Sequence, residues 1–312
     1  MIDFIFPKTG EPLTLKNGHL ESPSGKVVPV IKDIPRFVEQ ENYASAFGLQ
    51  WKAFRLTQLD SNNQMNLSQE RLERCLGYPI SGLNGKNLLE VGCGAGRFTE
   101  LLVKSGASVH SVDLSVAVEA NKENIGDVPN FQIAQASVYE LPFPENSFDV
   151  VVCLGVIQHT PSSEKTIEEL WRMTKPGGLL VIDHYRWRIA YYLNLKPVYR
   201  HFLRKMSPDK SKVKVDKLVD FFFPIHWKLR KIKPLWWLLH RFSPLIEYIL
   251  LFPQMKYAEH LELCRLDSYD SLTDYYKHLR TPSQIEKQIK DLGGKNIWIN
   301  VGGNGVEARA TK

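Results

Sequence analysis

Residues 87–96 read Asn-Leu-Leu-Glu-Val-Gly-Cys-Gly-Ala-Gly, and no other stretch restricts the fold so tightly. A short apolar run carries an acid, Glu90, and three glycines follow at alternate positions, Gly92, Gly94 and Gly96. A periodic apolar stretch, residues 98–103, comes next. Strand, tight glycine turn and helix in that order form the first unit of a nucleotide-binding α/β sheet. Glycine suits the turn because the backbone bends sharply and lies against a ligand with no Cβ between them.

The same residues narrow the ligand. A dinucleotide fingerprint needs Gly or Ala three residues after its second glycine, and Arg97 stands there. Glu90 would repel a diphosphate and attract an ammonium group. The pattern therefore favours a nucleoside linked to an amino acid, and an NAD-dependent oxidoreductase is the weaker reading. Residues 108–112 alternate as a second strand that ends at Asp113. A carboxylate at that strand end accepts both hydroxyls of a ribose.

Further elements follow at regular spacing. Residues 131–134, 150–154 and 179–183 read as strands. Thr160-Pro161 reads as an N-cap and N1 proline of a helix to Met173, which Lys175-Pro-Gly-Gly178 ends. Thr281-Pro-Ser-Gln284 is a capping box that opens a late helix. Residues 296–301 and 306–310 form a hairpin around Gly302-Gly-Asn-Gly305. Strands alternating with helices imply a parallel sheet covered on both faces.

Four pieces in order carry a family likeness: Glu90 to Gly96, Asp113, the Leu141-Pro-Phe…Ser-Phe-Asp149 turn and the Lys175-Pro-Gly-Gly178 turn. Together they resemble the class I S-adenosylmethionine-dependent methyltransferases, in particular the type 11 group. The resemblance implies a Rossmann-like α/β fold: a seven-stranded sheet, last strand antiparallel, with helices on both faces. A small N-terminal β module and a helical insertion would complete it. It also implies S-adenosylmethionine as cofactor. Glu90 and the backbone of Gly92, Cys93, Gly94 and Gly96 would hold the methionine part. Asp113 would bind the ribose, Leu114 would flank the adenine, and Leu154 would lie under the ligand. Ser137 and Val138 occupy the adenine edge, where the family usually has Asp at the position of Ser137. A neutral hydroxyl accepts more weakly than a carboxylate, so affinity is expected to fall somewhat.

The likeness reaches upstream. Many relatives open with a zinc ribbon followed by Ile-Pro-Arg-Phe. Here Ile34-Pro-Arg-Phe37 is intact, but Phe6-Pro-Lys-Thr-Gly10 and Ser22-Pro-Ser-Gly25 stand where cysteines would be. Zinc needs thiolate or imidazole ligands, so no metal is expected. Residues 1–38 are read as a metal-free ribbon-like module packed by Phe4, Phe6, Leu13, Leu15, Leu20 and Val28, or as a plain β-hairpin. In residues 39–80, Tyr43, Phe47 and Trp51 fall on one helical face. In relatives such a segment forms part of a lid over the cofactor, and aromatic faces suit a sulfonium. A helix packed on the sheet is the competing reading.

The core is expected over 81–185, with 266–312 closing it and an insertion over 186–265 between. From Arg186 to Lys256 there are 16 Lys and Arg against four acids, a local charge of +12 in a chain of +6. Aromatics are dense there. Three readings compete: an acceptor-binding cap with solvated basic faces, a peripheral membrane contact through 186–256, and, last, nucleic acid. Residues 235–252 have the character of an interfacial helix, too interrupted to span a bilayer.

Hydrophobic content of 43% and charge of 24% fit a globular protein rather than a disordered one. Four separated cysteines form no disulfide framework, and no signal peptide is visible. A cytoplasmic enzyme is expected, with attachment to the inner membrane surface as the variant. Methyl transfer requires alignment of the acceptor and sometimes a base. Gln158, His159, Asp183, His184 and Tyr185 cluster after strands four and five. His159 and His184 are the candidate bases, with a structural role for each as the competing reading. His110 reads as structural. The acceptor is expected to be a small molecule or a lipid- or glycan-linked group, methylated at oxygen. The rival is a non-catalytic scaffold of the same fold at a membrane surface.

Overall fold

The computed structural model describes residues 1–39, 43, 55–63 and 66–312. They divide into two compact units: Met1–Arg186 with Tyr276–Lys312, and Trp187–Tyr275.

The first unit opens with a four-stranded antiparallel sheet: β1 (Thr14–Lys16), β2 (His19–Glu21), β3 (Val27–Ile31) and β4 (Ile34–Pro35). Leu13, Leu20 and Val28 form its core, with Phe4, Phe6, Val30 and Phe37 against them. Leu15, expected in that core, is exposed instead. It lies on the edge strand β1, all of whose residues face solvent. The Ile34-Pro-Arg-Phe37 phrase joins this module to the main sheet. Phe37 N–H donates to the Gln135 carbonyl at 2.8 Å. The buried Arg36 guanidinium donates to Gln135 Oε1 at 3.1 Å and Glu119 Oε1 at 2.9 Å.

The main sheet contains β5 (Asn87–Val91), β6 (Ser108–Asp113), β7 (Phe131–Gln135), β8 (Phe148–Cys153), β9 (Thr174–Tyr185), β10 (Lys295–Gly302) and β11 (Gly305–Thr311). Their order is β10-β11-β9-β8-β5-β6-β7. β11 runs against both its neighbours, and every other pairing is parallel. This is the Rossmann-like seven-stranded arrangement expected above. Helices α1 (Leu67–Leu76), α2 (Thr99–Lys104), α3 (Ala117–Ile125) and α4 (Ser163–Met173) belong to this unit.

The central strands are nearly unbroken apolar runs because both faces are covered. Leu88, Val150 and Val152 pack with Leu72 and Leu102 on one side. Leu89, Val151 and Cys153 pack with Ile167, Leu170 and Ile285 on the other. Two of the shared motifs hold each other. Asp149 accepts the Asn87 N–H at 2.8 Å and the Lys175 ammonium at 2.9 Å. A Cβ on Gly178 would meet the Lys175 carbonyl oxygen at 2.9 Å and that of Asp149 at 3.1 Å. The glycine there permits a close crossing of two backbones.

α4 begins later than the Thr160-Pro161 pattern predicts. Its N-cap is Ser162, whose hydroxyl accepts from Lys165 N–H. The Thr160 hydroxyl is turned back to donate to the Ile157 carbonyl at 2.8 Å, so it is not available to the helix.

The second unit is helical: α5 (Lys196–Leu203), α6 (Pro208–Leu229), α7 (Lys233–Phe242) and α8 (Tyr257–Thr273). Val215, Val219, Phe223, Leu245, Ile249 and Tyr269 lie in its core. α8 continues through residue 265, so the unit extends to Tyr275. α7 stops at Phe242 before Pro244, so residues 235–252 are not one interfacial helix. No described helix is long and apolar enough to cross a membrane. Beyond this unit, α9 (Pro282–Asp291) starts with the expected Thr281–Gln284 capping box.

Phe148 is fully buried, with ring edges against Phe143 and His110 at 5.2 Å each. Phe148→Ala is expected to lower the unfolding free energy by about 3–5 kcal/mol, read by urea denaturation with tryptophan fluorescence. A loss below about 1 kcal/mol would contradict tight packing at this junction.

Candidate active site

The chain steps from β5 outward to β6 and β7 on one side and to β8 and β9 on the other. Open α/β sheets bind ligands at such a reversal, beyond the carboxyl ends of the strands. Residues 92–96 leave β5 at this point. Gly92, Gly94 and Gly96 have φ of +78°, +50° and +102°. Side chains rarely adopt that region. A Cβ on Gly92 would lie 2.1 Å from Val156 Cγ2, so the turn is closed to larger residues from behind as well.

Glu90 braces this turn. Its Oε2 accepts the hydroxyls of Thr99 and Ser111, each at 2.7 Å. Thr99 Oγ1 in turn accepts from Asn121 Nδ2 at 2.9 Å. Burial pushes the Glu90 carboxyl up to about 7, against the pull of the two hydroxyls. Asp113 fastens the same turn from β6. Its Oδ2 accepts Gly94 N–H at 2.9 Å, and its Oδ1 accepts the Ser115 N–H at 2.8 Å and hydroxyl at 2.7 Å. Burial raises this carboxyl, and the Ser115 and Gly94 donors oppose the rise. The Cys93 thiol is buried between these acids and lifted far above the usual thiol range, so it is no nucleophile.

The remaining expected cofactor residues follow the next strand ends. The Leu114 carbonyl accepts Gln135 Nε2 at 2.9 Å. Val138 and Leu154 are buried apolar residues. Ser137 Oγ accepts the Tyr139 N–H at 3.2 Å. Of the expected lid residues, Phe47 and Trp51 lie outside the described residues. Tyr43 meets Tyr276 edge-on, with centroids 5.3 Å apart. Its phenol is raised by burial, then by Tyr139, Tyr276 and Asp113.

The acceptor-side candidates separate. His159 Nδ1 lies 3.3 Å from the Tyr276 carbonyl, and its ring meets Tyr185 edge-on. Donation from Nδ1 to that carbonyl makes Nε2 the basic nitrogen. His184, the second expected base, is fully buried between the Ser163 hydroxyl and the Tyr185 carbonyl, both at 2.9 Å. Burial holds its pKa down at about 4. Both ring nitrogens are engaged, which makes it a structural histidine. Asp183 is tied to Arg71 and accepts Gly155 N–H at 2.6 Å. His110 is buried and bonds Ile2 N–H at 2.8 Å, a structural role. Gln158 is fully buried, and neither end of its amide has a partner among the described residues.

Sequence reasoning missed Arg71, Tyr276 and His278. Arg71 pairs with Asp183 from α1, more than a hundred residues away. Tyr276 stacks on His278, whose Nε2 lies 3.0 Å from the Thr160 carbonyl. Tyr276 and His278 follow the insertion, and none of the three carries a spacing signal.

The reversed strand order, the left-handed glycine turn and the acid ending β6 define a nucleoside-binding α/β domain. Residues 89–182 match the family described as "Methyltransferase domain". Ubiquinone biosynthesis O-methyltransferase of Pseudomonas entomophila is 36% identical over 132 residues, which are 40% of this chain and 55% of the relative. The protein of the same name from Pseudomonas fluorescens is 40% identical over 103 residues, 31% of this chain and 43% of the relative. Sterol 24-C-methyltransferase ERG6B of Gibberella zeae is 34% identical over 124 residues, 38% and 32% of the two chains. The chain spans about half the length of the first of these relatives, or less. The matched segment, residues 89–182, is a methyltransferase domain of the S-adenosylmethionine-dependent class, and S-adenosylmethionine is the cofactor of that class.

Glu90 gives a pH test. Its carboxyl titrates near 7 when folded, against 4.5 for the free side chain. The folded state therefore holds the extra proton between these values, and stability falls as pH rises through that window. Attraction of a ligand ammonium needs the ionised form, so S-adenosylmethionine should bind more tightly as pH rises from about 6 to about 8. Calorimetry across that range reads the slope. Glu90→Gln should flatten it, and an unchanged slope would remove Glu90 from ligand recognition.

Proposed function

We propose that this chain transfers a methyl group from S-adenosylmethionine to an oxygen of a small-molecule acceptor. The observation that carries the reading is the turn at residues 92–96, held in left-handed backbone by Glu90 and Asp113 where the strand order reverses. The donor group supplies an activated carbon on a positively charged sulfur. The protein's own task is then to bind, align and, for a hydroxyl acceptor, take a proton.

In this reading Glu90 and the turn backbone of Gly92, Cys93, Gly94 and Gly96 hold the amino-acid end. Asp113 accepts from the ribose hydroxyls with lone pairs left beyond its present bonds. Leu114, Val138 and Leu154 enclose the adenine, and Ser137 accepts from its edge. Tyr43 would offer its ring to the sulfonium. His159 Nε2 would take the acceptor proton, and the bound donor would supply the methyl carbon. Gln158 supplies a buried donor and acceptor to a polar acceptor group; an unpaired buried amide is costly, and such a ligand would relieve it.

The relatives favour an enzyme over a scaffold, because each is named a methyltransferase. Two of the three are O-methyltransferases, which supports oxygen as the accepting atom. Asp113→Ala is expected to weaken S-adenosylmethionine binding at least about tenfold, a loss of about 1.4 kcal/mol or more. Calorimetry with unchanged affinity would overturn the site. Release of S-adenosylhomocysteine in the presence of small phenolic or hydroxylated acceptors separates enzyme from scaffold. Tight cofactor binding without any turnover favours the scaffold.

A second reading rests on the surface of the second unit. Trp237, Leu238 and Phe242 of α7 and Leu250 and Leu251 beyond it are exposed, in a stretch of charge +12. Exposed apolar groups among Lys and Arg suit an anionic bilayer surface. A lipid- or glycan-linked acceptor, and a cytoplasmic chain peripheral on the inner membrane surface, belong to this reading. Vesicles containing phosphatidylserine should pellet the chain at low salt and release it as salt rises. No pelleting at low salt would end this reading.

A further inference from the structure

We propose that the second unit holds a divalent metal ion of the zinc class, bound by His226, His240 and Glu247. The three residues come from separate elements of this unit: α6, α7 and the segment after Phe242. One ligand atom from each lies within 4.8 Å of the others. His240 Nε2 and Glu247 Oε1 are 2.8 Å apart, and His226 Nδ1 is 3.9 Å from the same oxygen.

A simple His240–Glu247 ion pair leaves one atom unexplained. His226 is fully buried, and its Nδ1 has no hydrogen-bond partner among the described residues. Buried polar atoms in folded chains nearly always have one. The other ring nitrogen, Nε2, lies 2.9 Å from the Ser243 hydroxyl. With the Nε2 proton donated to Ser243, Nδ1 carries a bare lone pair aimed at His240 and Glu247. That is the tautomer a metal requires, fixed by an outer partner in the way metal-binding histidines usually are. Glu247 is held similarly. Its Oε2 accepts the Ile249 N–H at 2.7 Å, which turns Oε1 toward the histidines.

Two imidazoles and a carboxylate suit zinc with a fourth position for water. Hard cations such as magnesium prefer an all-oxygen shell. The Trp236 ring packs on His240, with centroids 4.1 Å apart, and shields that ligand. The ion would tie two helices and a turn of a unit whose apolar core is small.

The test uses the full chain. Purified from zinc-supplemented medium, it should carry one zinc per chain by elemental analysis. Chelator-treated chain titrated with Co²⁺ should develop tetrahedral visible absorption, and zinc should displace it. His240→Ala and Glu247→Gln should each lose the bound ion while keeping the far-ultraviolet dichroism of the parent. Ser243→Ala, which removes the outer partner of His226 and no ligand, should weaken zinc binding by about 10–100-fold. Zinc should raise the melting temperature of the parent and not of Glu247→Gln. Absence of zinc from the parent, or retention in both ligand variants, would overturn the proposal. Should His240→Ala fail to fold, Glu247→Gln decides alone, since it keeps the side-chain shape.

Discussion

Three left-handed glycines at the end of β5 are the constraint on which the domain rests. A turn of that kind does not hold itself in place; glycine gives freedom, and freedom must be removed elsewhere. Here two acids remove it, the buried Glu90 and the half-buried Asp113. Glu90 reaches forward to Thr99 at the start of α2, and Asp113 reaches across from β6 to Gly94 N–H. The turn is thus tied to its own helix and to the neighbouring strand. Burial raises both carboxyls, opposed by the donors that hold them. In the proposed function, the two carboxylates that fasten the turn are also the ones that would meet the ligand.

The rest of the first unit supports that corner. Asp149 and Lys175 close the far side of β8 and β9, and Arg71 neutralises the buried Asp183. A buried charge without a partner is expensive, so α1 is held against the strand ends by Arg71 with Asp183 and Arg74 with Glu307. On the opposite edge, Arg36 joins the small β module to β7 through Gln135 and to α3 through Glu119. The Ile-Pro-Arg-Phe phrase therefore has a mechanical reason: it extends the sheet edge beside the proposed adenine site.

Much of the fold was legible because it is local. The glycine turn, the strand ending in Asp113, the Thr281 capping box and the closing hairpin each announce themselves within a few residues. Leu15 was misjudged because alternation does not distinguish an edge strand from a covered one. Thr160 was misjudged as a cap because its hydroxyl had a nearer carbonyl at Ile157. His184 resembled a base by position, but its burial between Ser163 and a carbonyl depends on α4, which pattern alone could not place. Arg71, Tyr276 and the His226–His240–Glu247 group were invisible for the same reason. Their partners are brought together by tertiary packing rather than spacing.

The central claim is that the corner formed by residues 92–96 and Asp113 receives the donor nucleoside. A crystal structure of the chain with S-adenosylhomocysteine tests it most directly. The account predicts density beyond the carboxyl ends of β5 and β6, with both ribose hydroxyls on Asp113 and the amino-acid end against the glycine backbone. Ligand density anywhere else, or a corner that stays filled by protein side chains at saturating ligand, would contradict it.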